Sequence, residues 1–130
     1  MIVQGESVAR WVMQTIGSYT EGMAGIGWQI DGEIVAGIAY ENYNHNNLFG
    51  HQRIDKNPPK SFWIANARYI FNDLGCKRFT ATVESTNLKA IKLNHHIGFE
   101  TEAILKDAGR SGDLVVMVLW KNNCRFLGWK

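Results

Sequence analysis

The chain has 130 residues, 45% of them hydrophobic and 20% charged, with 14 Lys and Arg set against 12 Asp and Glu. That length supports one hydrophobic core but not two. A formal charge of +2, with no run of Lys or Arg, argues against a nucleic-acid binder, and no apolar window approaches a membrane span.

Taken in chain order, residues 5–16 predict a helix with Val8, Trp11, Val12 and Ile16 on one face and Gly17 as its stop. Gly22, Gly25 and Gly27 read as a loose approach to the first strand. Trp28-Gln29-Ile30, Asp31-Gly32 and Glu33 to Tyr40 predict a β-hairpin, because Asp-Gly between apolar runs is a strong tight-turn signal. Asn42 to Asn47 is a polar loop, and Leu48 to Ile54 a third strand. After the break at Pro58-Pro59, Ser61 is placed to cap a helix from Phe62 to Leu74 that Gly75 ends. Its apolar stripe is Trp63, Ala67, Ile70, Phe71 and Leu74.

Arg78 to Glu84 predicts a strand, Leu88 to Ile97 a helix closed by Gly98, and Glu100 to Lys106 and Leu114 to Lys121 two further strands. A strand-helix-strand unit in the middle makes the third and fourth strands parallel. The expectation is one mixed α/β domain over residues 1–130, with a mostly antiparallel sheet, a central parallel pair and flanking helices.

Few side chains carry obvious chemistry. Cys76 and Cys124 fit no metal or redox spacing, which favours a reduced, cytoplasmic protein. The first residues lack the basic region and long apolar core of a signal peptide. His95 and His96 are adjacent on a helix and so point apart, while His45 and His51 lack a paired carboxylate pattern, so no metal is expected. The segment Cys124 to Trp129 either covers the core or forms a homodimer contact. The polar cluster Glu84, Ser85, Thr86 and Asn87 stands at the carboxyl end of a strand, where ligands collect in open α/β sheets.

The pattern Val83, Asn87, Ala90 followed by Gly98-Phe99-Glu100, set in this element order from Trp28 to Trp120, resembles the GCN5-related N-acetyltransferase superfamily. Within it the closest patterns are the ribosomal-protein N-terminal acetyltransferases and compact phage-encoded members. The resemblance implies that the parallel strands splay apart to admit acetyl-CoA as cosubstrate, and that a primary amine accepts the acetyl group. The acceptor would be a protein terminus, a lysine or a small molecule. Backbone around Phe49, Gly50 and His51 would meet the acyl-CoA, Glu41 or Glu84 would act as base, and Asn87 would bind cofactor or an ordered water. The family's tyrosine acid falls at Asn94, which cannot donate a proton and is left as a cofactor contact. His95, Tyr40 and Tyr43 are the alternative acids.

The family's glycine-rich phosphate loop also departs from pattern here. Arg53 stands near its basic start, but Asn57 and Pro59 fall where glycines are usual, and proline offers no N–H. Either Ser61 and Phe62 supply helix N-terminal donors, with Lys56 and Lys60 adding charge, or cofactor binding is weakened. A plain Pro-rich turn with solvated lysines is the third alternative. A non-catalytic acyl-CoA-binding or protein-interaction module on the same fold is the rival function.

Overall fold

The computed structural model describes residues 1–127. A seven-stranded sheet forms its centre, in the order β1-β2-β3-β4-β5-β7-β6. The strands are β1 (Ile2–Gln4), β2 (Ala24–Ile30), β3 (Glu33–Glu41), β4 (Asn47–Ile54), β5 (Arg78–Glu84), β6 (Glu100–Leu105) and β7 (Leu114–Trp120). The helices are α1 (Glu6–Met13), α2 (Lys60–Arg68) and α3 (Leu88–Ile97). Among the described residues only β4 and β5 pair in parallel, and every other neighbouring pair is antiparallel. The expected fold class is therefore the observed one.

Local chemistry explains most boundaries. At the β2–β3 hairpin Asp31 and Gly32 both take positive φ, 50° and 82°, as a two-residue turn between twisted strands requires. Asn87 caps α3, its side chain accepting from the Ala90 N–H at 3.2 Å. The α2 start differs from expectation. Helix geometry begins at Lys60, Pro59 holds the N-cap position with extended ψ of 166°, and Ser61 lies inside the first turn without capping it. Proline has a fixed φ and no N–H to lose, so the helix can begin directly behind it. At its far end α2 loosens into a π turn over Tyr69–Asp73 before Gly75, so the regular helix is shorter than the apolar stripe suggests.

Strand β1 and the early start of β2 were not expected. Gly25 and Gly27 lie inside β2, and with Gly37 on β3 they form a floor for α1. A Cβ at any of the three would stand 2.9 to 3.1 Å from α1 backbone or from Val8 or Val12. The bare backbone lets the helix sit close. A small core of Val8, Ala9, Val12, Met13, Met23 and Ala39 fills this layer.

The larger core lies on the opposite face, under α2 and α3. There Phe62, Ile70, Phe71, Met117 and Leu119 are all at most 1% exposed, each worth about 1.5–3 kcal/mol of burial. Cys76 and Cys124 are buried free thiols, and desolvation raises the pKa of both. Phe126 stacks on Trp63 with centroids 6.2 Å apart, so this part of the C-terminal segment covers the core. Trp129 lies outside the described residues. Among the described residues no helix is long and apolar enough to cross a membrane, and no cluster of potential metal ligands occurs.

Candidate functional site

The parallel ladder between β4 and β5 runs from Asn47 opposite Arg78 to Gly50 opposite Ala81, and there it stops. Both strands continue, to Ile54 and Glu84, without pairing to each other. At the apex of this V the Phe79 ring lies over Gly50. A Cβ on Gly50 would stand 2.1 Å from Phe79 Cζ, so the close approach requires glycine. Beyond the apex the strands enclose a cleft of about 430 Å³. The backbone edge of β4 past Gly50 faces that gap without a strand partner, and can bond an amide-bearing chain as a neighbouring strand would.

The cleft passes through the sheet. Strand alternation sends Tyr40 and Gln52 to the α2/α3 face and Glu41, His51 and Arg53 to the α1 face. Contacts agree with this division. The Tyr40 hydroxyl donates to Asn66 Oδ1 on α2, and Gln52 Nε2 donates to Asn94 Oδ1 on α3 at 3.0 Å. On the other side, Arg53 Nη1 donates to the Trp11 carbonyl of α1 at 2.9 Å. The α2/α3 side of the cleft is lined by Gln52, Trp63, Asn66, Ala90 and Asn94. The α1 side is lined by Thr15, Ile16, Gly17, Glu41, His51 and Arg110.

No protein-family model and no curated protein matches the chain. Solved structures do. A single-residue mutant of spermidine N-acetyltransferase from Vibrio cholerae aligns with a TM-score of 0.76 at 15% identity, covering 98% of each chain. The same Vibrio enzyme in complex with CoA and spermine gives 0.65 at 17% identity, over 79% of this chain and 68% of that one. The Campylobacter jejuni N-acetyltransferase PseH in complex with acetyl coenzyme A gives 0.61 at 18% identity, over 78% and 70%.

This is the GCN5-related N-acetyltransferase fold. Its splayed central strands are the feature that the sequence resemblance implied.

On that fold the candidate residues separate into groups. Glu41 and His51 come together: His51 Nε2 bonds Glu41 Oε2, and both line the cleft. Glu84 also lines it, but its Oε1 is engaged by the β6–β7 loop. It accepts from the Arg110 N–H at 2.7 Å and the Ser111 N–H at 3.2 Å. Substituting Glu84→Gln removes the charge from these bonds, which are each stronger than neutral ones. Amide hydrogen exchange at Arg110 and Ser111 is expected to accelerate by about 10-fold; unchanged protection would show that the carboxylate does not hold the loop.

Arg53 points away from the cleft. Its guanidinium pairs with Asp55 at 3.0 Å and lies 3.9 Å over the Trp11 ring, so it braces α1 against the sheet. Phe49 shares the α1 face and does not line the cleft, and Gly50 forms the apex. Lys56 and Asn57 are exposed in the turn before α2, while Lys60 and Ser61 occupy its first turn.

Asn94 is 2% exposed, held between Gln52 and Met117 Sδ, the latter at 3.6 Å. Of the alternative acids, Tyr40 is fully buried with its pKa raised well above 10.0 by desolvation. The Tyr43 hydroxyl donates to the Leu74 carbonyl at 2.7 Å. His95 Nδ1 bonds the Phe99 carbonyl at 3.0 Å, and none of the three lines the cleft.

Sequence reasoning missed the Glu41–His51 contact and Arg110, which donates to the Ile16 carbonyl and ties the β6–β7 loop to the segment after α1. Both depend on strand register and loop approach, which no local spacing encodes.

Proposed function

We propose that the protein is an acetyl-CoA-dependent N-acetyltransferase that moves an acetyl group directly to a primary amine. The observation that carries this reading is the early end of the β4–β5 ladder, which opens a cleft through the sheet beside an unpaired β4 edge. That edge suits the amide-rich arm of acetyl-CoA entering from the α2/α3 side. The pyrophosphate would rest at the start of α2, where no side chain caps the helix and Lys56 and Lys60 stand close in sequence. The helix N–H group of Ser61 would take the place of the family's glycine-rich loop, while that of Phe62 is bonded to the Pro59 carbonyl at 3.0 Å. The acceptor amine would enter from the α1 side, past Thr15 to Gly17 and Arg110. Asn87 would hold cofactor or water beyond its cap, and Asn94 would act through Gln52, being itself buried.

Structural neighbours in complex with acetyl coenzyme A, and with CoA and spermine, support an acetyl-CoA donor and an amine acceptor. Residues 1–130 would act as one cytoplasmic domain, with a homodimer as a possible assembly. The finer kinship to ribosomal-protein N-terminal or phage-encoded enzymes rests on the sequence pattern from Val83 to Glu100.

Calorimetry with acetyl-CoA tests the reading. Binding is expected, and Lys56→Ala/Lys60→Ala is expected to weaken it about 10-fold at low salt and less at high salt. No binding at high micromolar concentration would overturn the enzyme reading. An affinity unchanged by the double substitution would return the 55–60 turn to a purely structural part. The non-catalytic acyl-CoA-binding module is kept as a second reading because Asn94 replaces an acid and Pro59 a glycine. Binding without turnover of any amine would favour it.

A further inference from the structure

We propose that His51 is the catalytic base of this transfer and Glu41 its positioning residue, an assignment that rests on the acetyltransferase reading above. The two lie ten positions apart in sequence, and neither announces a pair. The antiparallel register sets Ala39 opposite His51 and Glu41 opposite Phe49, so Glu41 and His51 are diagonal neighbours on one face. Both side chains line the cleft on its α1 side, and their exposures of 28% and 19% leave them reachable yet largely shielded from bulk water.

The bond fixes the chemistry of the ring. A carboxylate offers only lone pairs, so Nε2 must carry the proton that it shares with Glu41 Oε2. Nδ1 is then the basic nitrogen, and no described group bonds it. The carboxylate also steadies the imidazolium that forms when Nδ1 takes a proton.

The other charged groups facing this part of the cleft are already committed. Glu84 on β5 accepts from loop amides, and Arg110 in the β6–β7 loop donates to the Ile16 carbonyl. Arg53, next on the same face of β4, is held by Asp55 and Trp11. The chain at and beyond the end of α1 contributes Met13, Thr15, Ile16 and Gly17, none of them titratable. Of the described ionisable residues that line the cleft, His51 alone joins a bare nitrogen to an oriented ring.

The step follows. A primary ammonium at the α1 mouth gives one proton to His51 Nδ1, and its freed lone pair forms the C–N bond at the thioester carbonyl. The C–S bond breaks, and the thiolate is protonated by the second proton that the new amide nitrogen sheds. The imidazolium then releases its proton to solvent.

The experiment uses the full chain, acetyl-CoA, and a panel of spermidine, lysine methyl ester and short alanyl and glycyl peptides. His51→Gln is expected to lower kcat by about 100-fold, with the acetyl-CoA KM within about twofold. Exogenous imidazole is expected to restore part of the rate to His51→Ala, and Glu41→Gln to lose about 10-fold in kcat. A kcat for His51→Gln within about threefold of wild type, or a loss confined to KM, would overturn the assignment while leaving the acetyltransferase reading intact. A wild-type chain that acetylates no amine would overturn that reading and this one together. Should the variants fail to fold, the long-range ¹H–¹⁵N imidazole spectrum of the wild-type protein still decides. It is expected to show His51 protonated at Nε2, and a ring protonated at Nδ1 alone would sink the proposal.

Discussion

Substituting Gly50→Ala is expected to destabilise the protein by about 1–3 kcal/mol and to lower its affinity for acetyl-CoA at the same time. The physical cause is the 2.1 Å that would separate a new Cβ from Phe79 Cζ. The ring cannot simply swing aside, because Tyr40 and Phe99 pack around it with centroids 6.1 and 5.8 Å away. Either Phe79 shifts into the core or β4 and β5 move apart at the apex, and both alter the V. Denaturant titration gives the stability and calorimetry the affinity. In a Phe79→Leu background the cost of Gly50→Ala should shrink, giving a coupling energy of about 0.5–3 kcal/mol between the two positions. An equal cost in both backgrounds would mean that the ring does not set the apex.

The second large effect concerns Phe62. It is fully buried in the first turn of α2 and meets Trp63 edge-on at 5.2 Å. With no side chain capping that helix, burial of Phe62 is what fixes the direction of its first N–H groups. Phe62→Ala should therefore cost about 3–5 kcal/mol and weaken acetyl-CoA binding by about 10-fold, measured well below the unfolding transition. Phe71→Ala is the control, equally deep in the same core but in the π turn at the far end. It should cost similar stability and leave the affinity closer to wild type. If both substitutions weaken binding alike, the start of α2 has no special part in it.

Much of the architecture was legible because local signals and tertiary structure agree. Asp31-Gly32 specifies a turn that only left-handed residues fill, Asn87 caps a helix that Gly98 ends, and the apolar strands match their buried faces. The misses have a common cause. Gly25 and Gly27 look like loop residues until α1 is seen resting on them, and Ile2–Gln4 is too short for any periodic signal. Ser61 reads as a cap because serine is favoured at that position, yet the rigid proline before it starts the helix alone.

The site was harder to read than the fold. Residue types and neighbourhoods came through, but the commitments of individual side chains did not. Arg53 turns to α1, Glu84 serves a loop twenty-six residues downstream in sequence, and Glu41 meets His51, all through register that sequence spacing does not reveal.

The passage through the sheet has a consequence for how such a protein can change. Donor and acceptor, in the proposed reading, approach from opposite faces and meet in the plane of the strands. In that reading the two recognition tasks fall on separate parts of the chain: α2 and α3 for the donor, the α1–β2 and β6–β7 segments for the acceptor. Those two segments could then be rewritten for a new amine while the donor side stays as it is.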